Sequence, residues 1–507
     1  MRHSSIATVI LILSTFFLCR VSLSAESSFL SFPQTAVEHH ALDGSVTPQM
    51  FLNGKAPATV LDWKPFIQDA INFVESRGGG TVFIPPRDTP YPIGGTITVE
   101  RDGVVIKGAG RSSILMDNNA PDNLIVFKNC STCGVQNLQI SGNVSYNSVL
   151  SARQEPYAIV LGRGTNSAFV KTVYIQGMWN GIHIYESDGE DQVSSHVVMS
   201  NMVGHYGIRF EGSKEHPSYR AMIDNFTGGN VPTDIFHADS RAGARWKAHA
   251  HFEQGDVVEV KDGGIWIAQS DGVSGNVEPA GIPGNGATIF STLISDGSIQ
   301  WKYSSGAMTW VSFTSYAYSL VIRNAALLGG VHGVTMDRAA DSNAGTPKWL
   351  FATDVEGDHN FKASWDIEAG EAAKCNMCWF GSLTDYGAIY SEDTTEGSIS
   401  NSRLAYNGGG GIRVKGGNNH DFSHNQIGQN CGFAETQGDH FCSGIVIDKP
   451  VQTTIISDNI VGALGNPTGQ GNFQDYGILV IGHVVNSTIR LNGNIATGNI
   501  TRGVKYN

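Results

Sequence analysis

A short phrase recurs along this chain: a glycine, an alternating apolar run, then a polar or charged residue. It reads Gly181-Ile-His-Ile-Tyr185, Gly207-Ile-Arg-Phe-Glu211, Gly333-Val-Thr-Met-Asp337, Gly387-Ala-Ile-Tyr-Ser391, Gly411-Ile-Arg-Val-Lys415, Gly444-Ile-Val-Ile-Asp448 and Gly477-Ile-Leu-Val-Ile481. Outside one interruption, the glycines are 24 to 33 residues apart or about twice that. Such a period marks a solenoid, and strand-like units point to a stacked, all-β parallel helix. Alternate side chains of a strand face opposite ways, so Ile182 and Ile184 point inward while His183 and Tyr185 point outward. Stacking then gathers outward residues from distant parts of the sequence into columns.

Composition agrees with that architecture. The chain has 507 residues, 61 of them glycine, and only 16% are charged. That length exceeds one compact globule but suits a quasi-one-dimensional stack. Arg2 and His3 precede an apolar run from Ile6 to Leu18 and small residues near Ala25, so residues 1–25 read as a secretory signal. No later stretch approaches the roughly 18 apolar residues of a membrane span. A secreted or periplasmic chain with no membrane partner is expected. Besides Cys19, six cysteines remain, and in an exported chain they favour three local disulfides: Cys130–Cys133, Cys375–Cys378 and Cys431–Cys442. The two CxxC pairs also fit zinc spacing. The net charge of −13 disfavours nucleic acid as a partner. Sequons occur at Asn129, Asn143, Asn225, Asn486 and Asn499, as glycan acceptors in a glycosylating host.

Residues 26–60 read as an extended lead-in, and 61–228 as the first part of the solenoid, opened by an amphipathic helix from Asp62 to Arg77. The apolar stripe Phe66, Ile67, Ala70, Ile71 and Val74 suits a cap over the first rung. Residues 229–316 differ in composition and hold Trp246, Trp266, Trp301 and Trp310, reading as an inserted β-module whose tryptophans either form its core or stack on sugars. Residues 317–507 resume the solenoid. Its turns at Asn425, Asn459 and Asn494 suggest internal amide ladders.

The opening segment also carries a family resemblance. Phe66-Ile-Gln-Asp-Ala-Ile71, Gly78-Gly-Gly-Thr-Val-Phe-Ile-Pro-Pro86, Gly94-Gly-Thr-Ile-Thr-Val99 and Gly103-Val-Val-Ile-Lys-Gly-Ala-Gly-Arg-Ser-Ser-Ile-Leu115 resemble the start of pectate-lyase-like, right-handed parallel β-helix proteins. That superfamily includes rhamnogalacturonase- and polygalacturonase-like enzymes, epimerase-like domains and phage tailspikes. Its common Asp-Asp-Thr before the helix is replaced here by Leu61-Asp62-Trp63. The resemblance implies the fold and a polysaccharide substrate, with monomers and homotrimers both represented.

The outward columns nominate the chemistry. One column is expected to hold Tyr185, Glu211, Asp337, Asp366, Ser391, Lys415 and Asp448. Its neighbour should hold His183, Arg209, Thr335, Ser364, Ile389, Arg413 and Val446. Asp366 enters through Ala363-Ser-Trp-Asp366, a unit without the leading glycine. Hydrolysis of a glycoside needs two carboxyl groups, one protonated and one ionised, so Asp337, Asp366 and Glu211 are the catalytic candidates. Arg413, Lys415, Arg209, His183, Tyr185 and Trp266 are the substrate-binding candidates. Arg413-Val-Lys415 resembles the Arg-x-Lys strand of polygalacturonase-like enzymes, whose paired Asp-Asp and Gly-His-Gly are absent here. A hydrolase would need no cofactor. A polysaccharide lyase on the same fold would use Ca2+ against a uronate, with Lys415 or Arg413 abstracting the proton. A non-catalytic, tailspike-like glycan binder is the third expectation. The acidic groups Asp354/Glu356/Asp358/His359 and Asp385/Glu392/Asp393 are read as loop residues without a calcium-loop spacing.

Overall fold

Each recurring phrase forms a short strand because its branched and aromatic residues suit a pleated surface. Its leading glycine is required by the stacking. A Cβ at Gly411, Gly444 or Gly477 would come within 2.5–2.6 Å of the carbonyl oxygen of Gly444, Gly477 or Gly503 on the next rung. The computed structural model describes residues 45–506, except 119–121, 143–155, 203, 230–243, 253, 255–256, 261–264, 280–292, 306–307, 338–344, 361, 384, 432–441, 450–451, 465–472 and 482–487. The signal reading for 1–25 and most of the lead-in therefore lie outside the described residues, as do Asn143 and Asn486.

Among the described residues, 31 strands join one parallel hydrogen-bonded assembly. A front sheet runs through Tyr157–Leu161, Asn180–Tyr185, Tyr206–Glu211, Thr309–Phe313, His332–Met336 and Trp365–Asn376, then Tyr386–Thr395, Gly410–Val414, Ser443–Ile447, Tyr476–Val480 and Arg502–Tyr506. Each of these pairs in register with its counterpart one rung away. Side and back strands complete the coil, as in Ser398–Ser400 and Arg403–Ala405. Inward residues form one continuous core, with Phe210 stacked on Phe313 and Trp365 on Phe380 at 5.6 and 6.0 Å between ring centroids. The structure is a parallel β-helix, and such crossovers are right-handed.

One corner of the coil is built from residues with positive φ. Asn137, Thr172, His196, Asn225, Asn324, Asp354, Met377, Asn401, His424, Asp458 and Gly493 all adopt it, with φ from 50° to 69°. Adjacent strand registers place them one above another. Asp354 is thus a corner within the strand Lys348–Asp358 and not a loop residue, and Glu392 and Asp393 lie in the strand Tyr386–Thr395.

The N-terminal helix covers Lys64–Glu75, shorter at both ends than the pattern indicates. The N-cap is Trp63, without a side-chain cap, while Asp62 Oδ1 accepts the Lys64 N–H and the Gly94 N–H, each at 2.9 Å, tying the start of the helix to the first rung. Ile67, Ala70, Ile71 and Val74 are buried against the core.

The tryptophan-rich region contains a five-stranded sheet and a two-stranded one. The solenoid resumes earlier than composition suggests, because Thr309–Phe313 pairs with Tyr206–Glu211 and with His332–Met336. Trp310 occupies the register position of Gly207, so this rung lacks the recurring glycine that would have marked it. Its ring sits in the solenoid core and donates to Leu328 O at 3.0 Å. Trp266 and Trp301 are fully buried in the module, packed with Phe252 and with Trp179 of the solenoid. Trp266 has no exposed face on which a sugar could stack, which corrects its nomination as a substrate-binding residue.

The six cysteines other than Cys19 are paired as Cys130–Cys133, Cys375–Cys378 and Cys431–Cys442. The amide ladder is present: Asn425 N–H donates to Asn459 Oδ1 at 2.8 Å, and Asn459 N–H and Nδ2 donate to Asn494 Oδ1. A second ladder, which sequence reading missed, runs from Asn407 through Asn430 and Gln474 to Asn499.

Candidate functional site

The front sheet fixes which outward residues are neighbours. One column reads Val160, His183, Arg209, Ser312, Thr335, Asp366, Ile389, Arg413, Val446 and Leu479. Asp366 therefore stands beside Thr335 and not in the column of Asp337. Ser364, expected beside Thr335, is fully buried and accepts a hydrogen bond from Asn360 Nδ2. The unit lacks its glycine, Ser364 standing at the position of Gly333, so Ser364 and Asp366 are read two residues out of register. A slip of two keeps each side chain on its own face of the strand, which is why Asp366 still points outward.

The second column begins with Tyr185 beside Glu211. Continuing the pairings of Phe210 with Phe313 and of Met336 with Ile367 brings Thr314, Asp337 and Glu368 into line. Glu368 is the residue that sequence reasoning missed, since its unit was read out of phase. It is exposed and acts electrostatically on both aspartates. Asp337 and Asp366 are diagonal neighbours on adjacent rungs, with Cα atoms about 8 Å apart by the spacing of a pleated sheet.

Burial dominates the acidity of this pair. It pushes Asp366 up to about 7, helped by the Glu368 charge and opposed by Lys415 and Lys362. It pushes Asp337 up to about 6, with Glu368 and Glu211 adding to the rise and a hydrogen bond from Thr314 and the charge of Arg209 opposing it. His332 lies against Asp366, its Nδ1 3.5 Å from Oδ2 and 3.2 Å from the Ala363 carbonyl oxygen. Burial, with Lys362, lowers His332 to about 4, so near neutrality it is an uncharged imidazole.

Glu211 has a different character. Burial raises its pKa, but His183 and Arg209 outweigh that and hold it below the usual value. Arg209 Nε is ion-paired with Glu211 Oε2, and His183 Nε2 lies 3.5 Å from the same oxygen. The Arg209 guanidinium also covers the Tyr206 ring at 4.7 Å. His183 is stacked on Tyr157 and lies 5.2 Å from Tyr185, centroid to centroid. Glu211 is thus an ionised anchor for Arg209 rather than a proton donor. On the other side, Arg413 Nε donates to Asp448 Oδ2 at 2.7 Å, and its guanidinium lies 5.6 Å from the Tyr386 ring centre. Lys415 is directed electrostatically to Asp366. Of the nominated residues, the fold sets Asp337 and Asp366 on adjacent rungs, places Arg209 with Glu211 two rungs before Asp337 and Lys415 with Arg413 two rungs after Asp366 on the same face, leaves His183 and Tyr185 one rung farther out, and excludes Trp266. Among the described residues, no group of three or more His, Cys, Asp or Glu side chains is arranged to hold a metal ion.

Solved structures give the fold a class. The A-module of the Azotobacter vinelandii mannuronan C-5 epimerase AlgE4 matches 91% of this chain and 98% of its own, at 13% identity and a TM-score of 0.51. Tailspike protein 3 of bacteriophage CBA120 matches 92% of this chain and 62% of its own, at 11% identity and TM-score 0.51. PfbA, a surface adhesin of Streptococcus pneumoniae, matches 91% and 93%, at 10% identity and TM-score 0.50. The chain shares the right-handed parallel β-helix fold of these proteins. No protein-family model and no curated protein matches the sequence.

Proposed function

We propose that this protein is a glycan-cleaving enzyme that hydrolyses glycosidic bonds at the Asp337–Asp366 pair. The observation that carries this reading is two outward, largely buried carboxyl groups on adjacent rungs whose pKa values are split, about 6 and about 7. Both are raised well above the usual carboxylate range, so one carboxyl can hold a proton near neutrality while the other is ionised, and Asp366, raised further, is assigned the acid. Asp366 keeps its proton near neutrality and gives it to the leaving glycosidic oxygen. Asp337 is ionised first and takes a proton from the water that attacks the anomeric carbon. Attack by that water from the face opposite the leaving oxygen would invert the configuration. Lys415 and Arg209 flank the pair as ligands for substrate oxygens. That a mannuronan epimerase module shares the fold supports a glycan as the substrate class.

A second reading has its own support. Lys362 and Lys415 both act on Asp366, a cationic surrounding suited to a uronate carboxylate. On such a substrate, abstraction of the C5 proton would lead to elimination, as in a lyase, with Ca2+ as the further neutralising charge. Lys415 is the better base of the two nominated, because Arg413 is tied to Asp448. The test is a reducing-end assay run beside ultraviolet absorbance for an unsaturated product, with and without a chelator, on acidic and neutral polysaccharides. Reducing ends without absorbance establish hydrolysis. Both signals together, abolished by the chelator, overturn it in favour of elimination. Binding without either signal makes the protein a glycan binder.

A further inference from the structure

Around the corner from the second outward column, a side sheet carries aromatic rings in the open. Tyr219 of the strand Ser218–Gly229 pairs with Tyr318 of Ala317–Leu328, which pairs in turn with Lys348 of Lys348–Asp358. The Tyr219 and Tyr318 rings are stacked at 5.4 Å between centroids, and the Trp349 ring lies 6.3 Å beyond Tyr318. Tyr219, Trp349 and Phe351 are 46%, 44% and 40% exposed, and Tyr318 is half-buried. Met222 pairs with Val321 and Val321 with Phe351, and these two half-buried side chains complete the patch. Ion pairs frame it, Lys348 with Glu371 at 2.8 Å and Arg220 with Glu190 at 2.6 Å.

An exposed apolar patch with a polar rim marks an interaction surface, and its size and chemistry select the partner. Six apolar side chains fall well short of the roughly 20–30 residues a side that a stable protein interface uses. A pyranose ring suits them: its C–H face covers an aromatic ring while its hydroxyls reach the charged groups around it. The patch also continues the front face. Tyr318 follows Thr314 by four residues, so backbone reach keeps their Cα atoms within about 14 Å of each other, on the rung next to that of Asp337. We infer that Tyr219, Tyr318, Trp349 and Phe351 form a secondary glycan-binding surface, on which sugar rings of a polysaccharide stack outside the acid pair. The stacking role that composition gave to Trp266 falls to Trp349. The inference rests on the glycan substrate proposed above, but not on hydrolysis.

The test uses the full chain carrying Asp366→Asn, so that the polymer is not consumed, in native gels cast with polygalacturonate, alginate or a neutral β-glucan. Retardation by at least one polymer is expected. Trp349→Ala and Tyr219→Ala, both at exposed positions that spare the core, should each weaken it about tenfold, and Trp349→Phe should restore most of it. Retardation that both alanine variants leave unchanged overturns the inference. Sedimentation velocity is run beside the gels: an oligomer that Trp349→Ala converts to monomers gives the face to a second copy of the chain, which also overturns it. Reducing-end assays on the wild type separate the two readings. Cleavage without ring-dependent binding sinks this inference alone. Ring-dependent binding without cleavage sinks the hydrolase reading alone, and neither binding nor cleavage sinks both.

Discussion

The burial that makes Asp366 costly to the fold is what would suit it to the proposed reaction. Its folded pKa of about 7 lies above the ordinary 3.8, so the native state holds a proton that the unfolded chain releases. Stability from this group is therefore greatest below about pH 4 and falls as pH rises towards about 7. Asp366→Asn should raise the stability at pH 8 by on the order of 2–4 kcal/mol and leave it unchanged near pH 4, as read by thermal unfolding at the two pH values. Activity should show a bell between the ionisation of Asp337 near 6 and of Asp366 near 7. Asp337→Asn and Asp366→Asn should each lower kcat by roughly 10²–10⁴-fold with the circular dichroism spectrum intact. Glu368→Gln removes a negative charge that raises both acids, so both limbs of the profile should move to lower pH. A profile that stays in place would remove Glu368 from the site. Asp337 was legible in the sequence because its phrase is complete. Glu368 was not, because the unit carrying it lacks the glycine that sets the phase.

At the scale of the element, regular phrases were readable and irregular ones were not. The strands opened by Gly181, Gly207, Gly333, Gly411 and Gly444 follow the pattern, and the stripe of the N-terminal helix lies buried where its spacing places it. The rung at Thr309–Phe313 escaped notice because Trp310 stands where the phrase has glycine, and its tryptophan was credited to the inserted module. Trp266 was nominated from composition, which records that an aromatic is present but not which way it faces. The amide ladders show why their turns are rich in asparagine. Asn459 Nδ2 donates to Phe422 O at 2.9 Å while its Oδ1 accepts the Asn425 N–H, so one buried side chain satisfies two backbone groups of the preceding rung. Asn459→Ala should cost about 1–3 kcal/mol for each buried group left without a partner, measured by urea unfolding. An unchanged midpoint would mean that water replaces the amide.

For the molecule as a whole, contacts between neighbouring rungs dominate, so stability should vary along the axis. Amide hydrogen exchange should be slowest around the strands Tyr206–Glu211 to Trp365–Asn376 and fastest in Thr488–Asn492 and Arg502–Tyr506, which have a rung on one side only. Uniform protection would count against it. The column of left-handed corner residues has a different consequence. It acts as an indexing pin that returns the chain to the same angle on every turn, whatever has happened elsewhere on the circuit. The excursion between Gly229 and Thr309 comes back to the front sheet in phase, and Arg209 finds Ser312 and then Thr335 as though nothing had intervened. Sequence length can therefore be added or removed between pins without retuning the chemistry, and a transplanted rung that carries its pin should arrive already aimed.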